Sequence, residues 1–233
     1  MAQACARVDE LVRERVPSYY VAINAAKVVA YHEDTELRDA IDEAHLVTAD
    51  GQAVVWAARL LGHRVPERVA GTDLMLALLA RAAQRGYAVY FLGATEEVVR
   101  ACVAKARALY PALRIAGHRN GYFKPEEEAE VVAAIREAGP DILFLGFGTP
   151  AKEYFMRRHH RALGVPFAMG VGGSFDVLAG VVARAPRWMQ RAGLEWAYRL
   201  AQEPRRMWRR YLVGNTRFMW LVARELLARR GQR

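Results

Sequence analysis

Asp50 is the carboxylate best placed in this sequence to do chemistry, standing before Gly51 at the end of the short apolar run Leu46–Ala49. An aspartate at a strand tip before glycine faces the open end of a sheet, where it can take a proton from an attacking hydroxyl. The same residue also suits an N-cap, here for a helix starting near Gln52. Spacing alone leaves both roles open. Arg68 lies in Glu67-Arg68-Val69-Ala70-Gly71-Thr72-Asp73, just ahead of another helical stretch. Its guanidinium can steady the charge of a leaving diphosphate, or it can sit solvated in a loop. Asn24 closes the run Tyr20–Asn24 and can orient a sugar hydroxyl or hold the strand-end backbone.

Three further apolar runs end in glycine-rich turns that lead into helical segments. They are Gly93-Ala94-Thr95, Gly146-Phe147-Gly148-Thr149-Pro150 and Gly172-Gly173-Ser174-Phe175-Asp176. Such turns let backbone N–H groups approach phosphate, although glycine after a parallel strand also serves plain turn geometry. None matches a Walker A loop or the dinucleotide fingerprint, which argues against an ordinary ATPase, an NAD enzyme or a nucleotide-sugar epimerase. The pair His159-His160 sits on a polar, arginine-rich helical face, and no H-x-x-x-H or D-x-D element is present. The expectation is chemistry with no cofactor and no metal.

Positioning these residues requires alternating strands and helices. Strands are expected at Tyr20–Asn24, Leu46–Ala49, Ala88–Leu92, Leu113–Gly117, Ile142–Leu145 and Phe167–Val171, several of them apolar throughout, as strands covered on both faces are. Amphipathic helices are expected over about 52–61, 72–85, 95–109, 126–138 and 151–163. Thr95 before two glutamates and Pro125 before three mark helix starts. This alternation predicts an α/β fold: a doubly wound, mainly parallel, Rossmann-like sheet. Ligands then bind beyond the carboxyl ends of the strands.

After Pro186 only helical pattern remains, over about 187–202, 204–213 and 216–230, with Pro204 and Gly214-Asn215 as breaks. The expected organisation is an α/β catalytic domain over 1–186 and a helical appendage over 187–233. The net charge is +9, and from Arg184 onward the chain holds 13 Arg, no Lys and three Glu; the preceding residues carry 21 basic and 22 acidic side chains. Four of the five tryptophans, Trp188, Trp196, Trp208 and Trp220, lie in the same tail. On a helix, Arg206, Arg209 and Arg210 share a face. Arginine beside tryptophan suits anionic lipid headgroups or a diphosphate, while tryptophans at helical spacing can also pack the tail onto the body.

Composition narrows the class further. Cys5 and Cys102 make no disulfide framework, which fits a reducing cytosol. The N-terminal stretch has acidic residues and no apolar signal core. No run approaches the roughly 18 apolar residues that span a bilayer. A near-neutral body without a nucleic-acid module excludes nucleic acid as the expected partner.

Read together, the strand-end residues resemble the WecG/TagA/CpsF family of bacterial glycosyltransferases (glycosyltransferase family 26). The matching stretches are Asn24 with Lys27-Val28-Val29, Ala49-Asp50-Gly51, the Glu67–Asp73 segment, Asn120-Gly121-Tyr122-Phe123, Gly170–Asp176, Arg184-Ala185-Pro186-Arg187-Trp188, Gly193-Leu194-Glu195-Trp196 and Gln202-Glu203-Pro204-Arg205-Arg206. They run in order through about residues 18–222.

The resemblance implies transfer of N-acetylmannosamine, its uronic acid or a related hexose-type sugar from a UDP-sugar to an undecaprenyl-diphosphate-linked sugar. The products would be teichoic acid linkers, enterobacterial common antigen or capsule. It implies inversion at the anomeric centre without a metal, a cytoplasmic protein peripheral to the inner face of the cell membrane, and a homo-oligomer. Asp50 matches the catalytic base, and Arg68 and Asn24 match pocket residues. Arg199, Arg206 and Arg209 match arginines delivered to UDP. The glycines Gly93, Gly146, Gly148, Gly172 and Gly173, with Ser174, complete the expected substrate contacts. Two positions depart from the pattern: Ala22 stands where members often have Thr, and Lys152 where many have Gln in a P-K-Q-E run. A lysine there is expected to read an anionic or differently oxygenated sugar. A non-catalytic, membrane-peripheral module that binds nucleotide-sugar or lipid diphosphate is the rival reading.

Overall fold

The runs Ala88–Leu92 and Ile142–Leu145 form neighbouring inner strands of the sheet, because every residue of both is buried and only strands covered on both faces tolerate that pattern. The computed structural model describes residues 1–191, 193–202 and 204–230. The side chains of Arg191, Arg199, Arg205, Arg206, Met207, Arg209, Arg210, Tyr211, Val213 and Arg230 lie outside the described residues. In chain order the elements are α1 (Ala2–Glu14), β1 (Ser18–Ile23), α2 (Ala25–Glu33), α3 (Thr35–Asp42), β2 (Leu46–Ala49), α4 (Gln52–Leu60), α5 (Gly71–Arg85), β3 (Ala88–Gly93), α6 (Glu96–Leu109) and β4 (Arg114–Arg119). There follow α7 (Glu128–Ala138), β5 (Ile142–Gly146), α8 (Ala151–Leu163), β6 (Phe167–Gly170), α9 (Ser174–Ala179), α10 (Arg187–Arg191), α11 (Glu195–Gln202) and α12 (Pro204–Arg230).

The six strands form one parallel sheet in the order β2-β1-β6-β5-β3-β4. The α/β, Rossmann-like fold predicted from the strand–helix alternation is the one observed. Phe91, Phe144 and Phe175 pack with ring centroids 5.6–5.8 Å apart at the middle of the core. α5 buries Leu74, Met75, Leu78, Leu79 and Ala82, a 3.6-residue stripe against the sheet.

Strand edges differ from expectation where a residue has a second use. β1 stops at Ile23 because Asn24 leaves the ladder to cap α2, its Oδ1 accepting from the Lys27 N–H at 3.1 Å. β4 runs on to Arg119 because it is an edge strand with one half-polar face, and apolar patterning does not mark its end. Thr95 caps α6 as expected, accepting from the Val98 N–H at 3.4 Å.

The chain packs as two compact units. The first comprises Met1–Ala22, Asp39–Thr48 and Val69–Ala183; the second comprises Ile23–Arg38, Ala49–Arg68 and Arg184–Arg233. In the second unit, Phe218 and Val222 of α12 bury against Ala25 and Val29 of α2, with Ala53, Val54 and Ala57 of α4 alongside. That packing corrects the expected break at Gly214-Asn215, since α12 continues through both residues. A helical glycine costs about 1 kcal/mol, less than the burial of Phe218 returns. The expected single helix over 187–202 is instead two, α10 and α11. Gly193, at φ +74, turns the chain between them against Gln52, where a Cβ would lie 3.1 Å from Cγ.

Candidate functional site

In the second unit the ends of β1 and β2 are joined tip to tip. The Asp50 N–H donates to the Ile23 carbonyl at 2.8 Å and the Gly51 N–H to the same oxygen at 3.4 Å. A Cβ built on Gly51 would lie 3.5 Å from both Cα and Cβ of Asn24, so Asn24 and the Asp50-Gly51 tip are immediate neighbours. Asp50 is half-buried. The N-cap of α4 falls on Gly51, with no side-chain cap bond, so the cap position weighed for Asp50 belongs to its neighbour. Asn24 uses its amide oxygen as a cap, and its NH2 group is not part of that cap.

Arg68 is not a solvated loop residue. Its Nη1 donates to Glu195 Oε2 at 2.8 Å, while Arg184 Nε donates to the other oxygen of Glu195 at 3.3 Å. All three side chains are largely buried, at 17–20% exposed. Two guanidiniums converge on one carboxylate. That suits a cluster built to meet an anion. Burial alone would raise the Glu195 carboxyl, but the hydrogen bonds and charges of Arg68 and Arg184 outweigh it and hold the group below its ordinary value. A carboxyl depressed in the folded state stabilises the fold above its unfolded pKa, and that contribution is lost as pH falls through the folded value. Wild type is therefore expected to be more stable than Glu195→Gln at pH 7. The gap should close as pH drops below the ordinary Glu value of 4.5, as read from urea midpoints across pH 3–7.

The excursion Ala49–Arg68 is closed at its base within the first unit. Tyr20 OH pairs with Thr48 Oγ1 at 2.7 Å, and Thr48 donates on to the Val69 carbonyl at 3.3 Å. Asp50 and Arg68 thus each leave from within two residues of one fixed bond.

The glycine turns belong to the first unit. The connection from β3 leads outward to β4, whereas that from β5 leads the opposite way to β6. The sheet's topological switch point therefore lies between β3 and β5, the place where open α/β sheets bind ligands. Gly93 and Gly146 face each other there in register. A Cβ on Gly93 would come within 2.7 Å of the Gly146 backbone, and Gly93 itself has φ +129, so no other residue fits. Outside these strand ends opens a cavity of about 350 Å³ walled by Tyr122, Phe123, Phe147 and Phe155. Among the described residues, the N–H groups of Gly148 and Gly173 donate to no protein acceptor. Gly172 takes φ +54 beside the Phe147 carbonyl.

Two predicted contacts in this unit face inward. Ser174 is 4% exposed. Its hydroxyl bonds the Val171 carbonyl and Thr72 Oγ1, both at 2.8 Å, so it holds its own turn. Lys152 is 8% exposed, and its stem runs along Gly170. Its ammonium lies 3.1 Å from Glu153 Oε1 and donates to Thr149 Oγ1. A Lys152 that reads an anionic sugar has to leave that pair.

Arg199, Arg206 and Arg209 lie on α11 and α12, with side chains outside the described residues. Trp188, Trp196, Trp208 and Trp220 are exposed, at 45–64%, so they do not pack the tail into a core. Among the described residues no helix is long and apolar enough to cross a membrane.

Sequence reasoning missed Glu195 as the joint partner of Arg68 and Arg184, and it missed the aromatic cavity. The signals were present in Gly193-Leu194-Glu195-Trp196 and Asn120-Gly121-Tyr122-Phe123. A sequence does not say which distant residue a motif meets.

Residues 1–232 match the model of the glycosyl transferase WecG/TagA/CpsF family. The chain is also similar to a Bacillus subtilis (strain 168) protein, N-acetylglucosaminyldiphosphoundecaprenol N-acetyl-β-D-mannosaminyltransferase. The two are 33% identical over 201 residues, which cover 86% of this chain and 77% of the relative. With a family match over nearly its whole length and a relative at this identity, the chain belongs to the WecG/TagA/CpsF family of glycosyltransferases.

Proposed function

We propose that this glycosyltransferase moves N-acetylmannosamine, its uronic acid or a related hexose-type sugar from a UDP-sugar to an undecaprenyl-diphosphate-linked sugar. It does so with inversion, without a metal and at the inner membrane surface. The observation that carries the reading is the Asp50 tip beside Asn24, in the same unit as the buried Arg68–Glu195–Arg184 cluster. The relative's name supports the acceptor class, since that protein acts on N-acetylglucosaminyl-diphosphoundecaprenol.

In the proposed reaction, Asp50 takes the proton of the acceptor hydroxyl as its oxygen attacks the donor's anomeric carbon. The bond from that carbon to the diphosphate oxygen breaks in the same displacement, and UDP leaves with the electron pair. Arg68 and Arg184 balance the charge that develops on it; Arg199, Arg206 and Arg209 are proposed to add to this. Asn24 orients a sugar hydroxyl through its NH2 group. The glycine turns at the carboxyl ends of β3, β5 and β6 are the first unit's own place for a phosphate-bearing ligand. Exposed tryptophans among arginines suit an interface with anionic lipid, where a polyprenyl acceptor resides.

The test is a panel of UDP-sugars incubated with a lipid-diphosphate N-acetylglucosamine analogue, with released UDP measured in the presence of a chelator. Acceptor-dependent UDP release from one or a few donors is expected. Release from none would remove the proposal.

A further inference from the structure

We infer that Glu195 is a positioning residue for the transfer: its carboxylate sets the Arg68 guanidinium in the place where the leaving diphosphate gathers charge. The inference rests on the proposed transfer for what Arg68 does. It goes beyond that reading by giving a part in the reaction to a side chain that acts through Arg68.

Arg68 stands at the end of the excursion Ala49–Arg68. Among the described residues, Glu195 is the one protein acceptor of its guanidinium, 2.8 Å from Nη1, and its Nε and Nη2 donate to no protein group. A guanidinium carries its five N–H donors in one rigid plane. Pinning one nitrogen to a fixed carboxylate narrows where that plane can lie and leaves the other donors to meet an anion.

To hold Arg68, Glu195 must itself be fixed, and its surroundings fix it. Its other oxygen accepts from Arg184 Nε at 3.3 Å, which keeps the carboxylate from swinging freely. It is the first residue of α11, where a helix N-terminus favours a carboxylate. The chain ahead of it is tied down. The Gly193 N–H donates to the Gln190 carbonyl at 3.2 Å, the Leu194 N–H to the Met189 carbonyl at 2.8 Å, and Gln190 Nε2 to the Ala185 carbonyl at 2.6 Å. Gly193 also lies against Gln52, the first residue of α4 and two beyond Asp50. The carboxylate that holds Arg68 is thus carried by a segment seated beside the Asp50 tip, and one frame sets both. Stability alone does not account for the arrangement. A buried carboxylate shared by two guanidiniums adds little net stability beside packed apolar side chains of similar volume, because each charge gives up its water. It does supply fixed geometry, and a donor that need not move as charge develops is the one that lowers a barrier.

Steady-state UDP release by the full chain, with the lipid-diphosphate N-acetylglucosamine analogue as acceptor, tests this. Wild type, Glu195→Ala, Arg68→Ala and the double variant are compared, each folded fraction being read by circular dichroism at the assay temperature. Glu195→Ala is expected to lower kcat about 10–100-fold with donor KM near the wild-type value, since a misplaced group is felt chiefly in the transition state. Glu195→Gln, which keeps one of the two acceptor oxygens, should lose less, and it carries the test if Glu195→Ala does not fold. In the Arg68→Ala background the same change at position 195 should cost a clearly smaller factor, because the guanidinium it holds is gone. Equal factors in the two backgrounds, or a wild-type kcat in the folded variant, overturn the positioning role and leave the transferase reading standing. A loss confined to KM overturns it too. A wild-type protein that releases no UDP from any donor overturns the transferase reading and the inference with it.

Discussion

Asp50→Asn is expected to lower turnover by about 10²–10⁴-fold, the typical worth of a general base, while leaving the fold and donor binding in place. The substitution is isosteric. The bond that fixes this tip runs from the backbone N–H of residue 50 to the Ile23 carbonyl, and asparagine keeps it. Gly51 and not Asp50 holds the N-cap of α4, so no helix cap is lost. The signature is a fall in kcat at nearly constant KM for the donor, because the carboxylate acts on the acceptor's proton as the new bond forms. A rate close to wild type in a folded Asp50→Asn would assign Asp50 a structural part and leave the reaction without its base.

Arg68→Ala carries the second large effect. The variant leaves Glu195 with Arg184, and removes one guanidinium from the cluster. Removing one such preorganised donor costs about 10²–10³-fold in kcat. Arg68→Lys should recover little of it, since an ammonium lacks the planar fork that the guanidinium presents. The same site couples to stability, because Glu195 is 17% exposed and depends on both arginines. Arg68→Ala and Glu195→Gln are therefore expected to be non-additive in a double-mutant cycle of unfolding free energies. Strict additivity would mean that the two side chains do not act as one unit.

The sheet was legible in the sequence because its signal is local. Ala88–Leu92 and Ile142–Leu145 are apolar throughout, and each ends in the glycine that the Gly93–Gly146 approach requires. Asp50, Asn24 and Arg68 were legible for the same reason, as strand-end or pre-helix residues of suitable chemistry. What the sequence hid is long-range. α12 runs through Gly214-Asn215 because Phe218 and Val222 find Ala25 and Val29, nearly the whole chain away. Glu195 becomes the hinge of the arginine pair only once residues 68, 184 and 195 meet. The aromatic cavity is assembled from Tyr122, Phe123, Phe147 and Phe155, four residues on three segments with no shared spacing. Ser174 and Lys152 show the reverse case: their types suit a ligand, yet burial and partners inside the fold take up the Ser174 hydroxyl and the Lys152 ammonium.

A single displacement driven by Asp50 fixes the stereochemistry of the product, so the most direct measurement is the anomeric configuration of the newly joined sugar. Wild-type protein, an α-linked UDP-sugar and the lipid-diphosphate acceptor analogue would be combined, and the isolated product read by NMR. The account predicts a β-linked sugar, formed only when acceptor is present. An α-linked product, which requires two displacements or attack from the leaving group's own face, would contradict it.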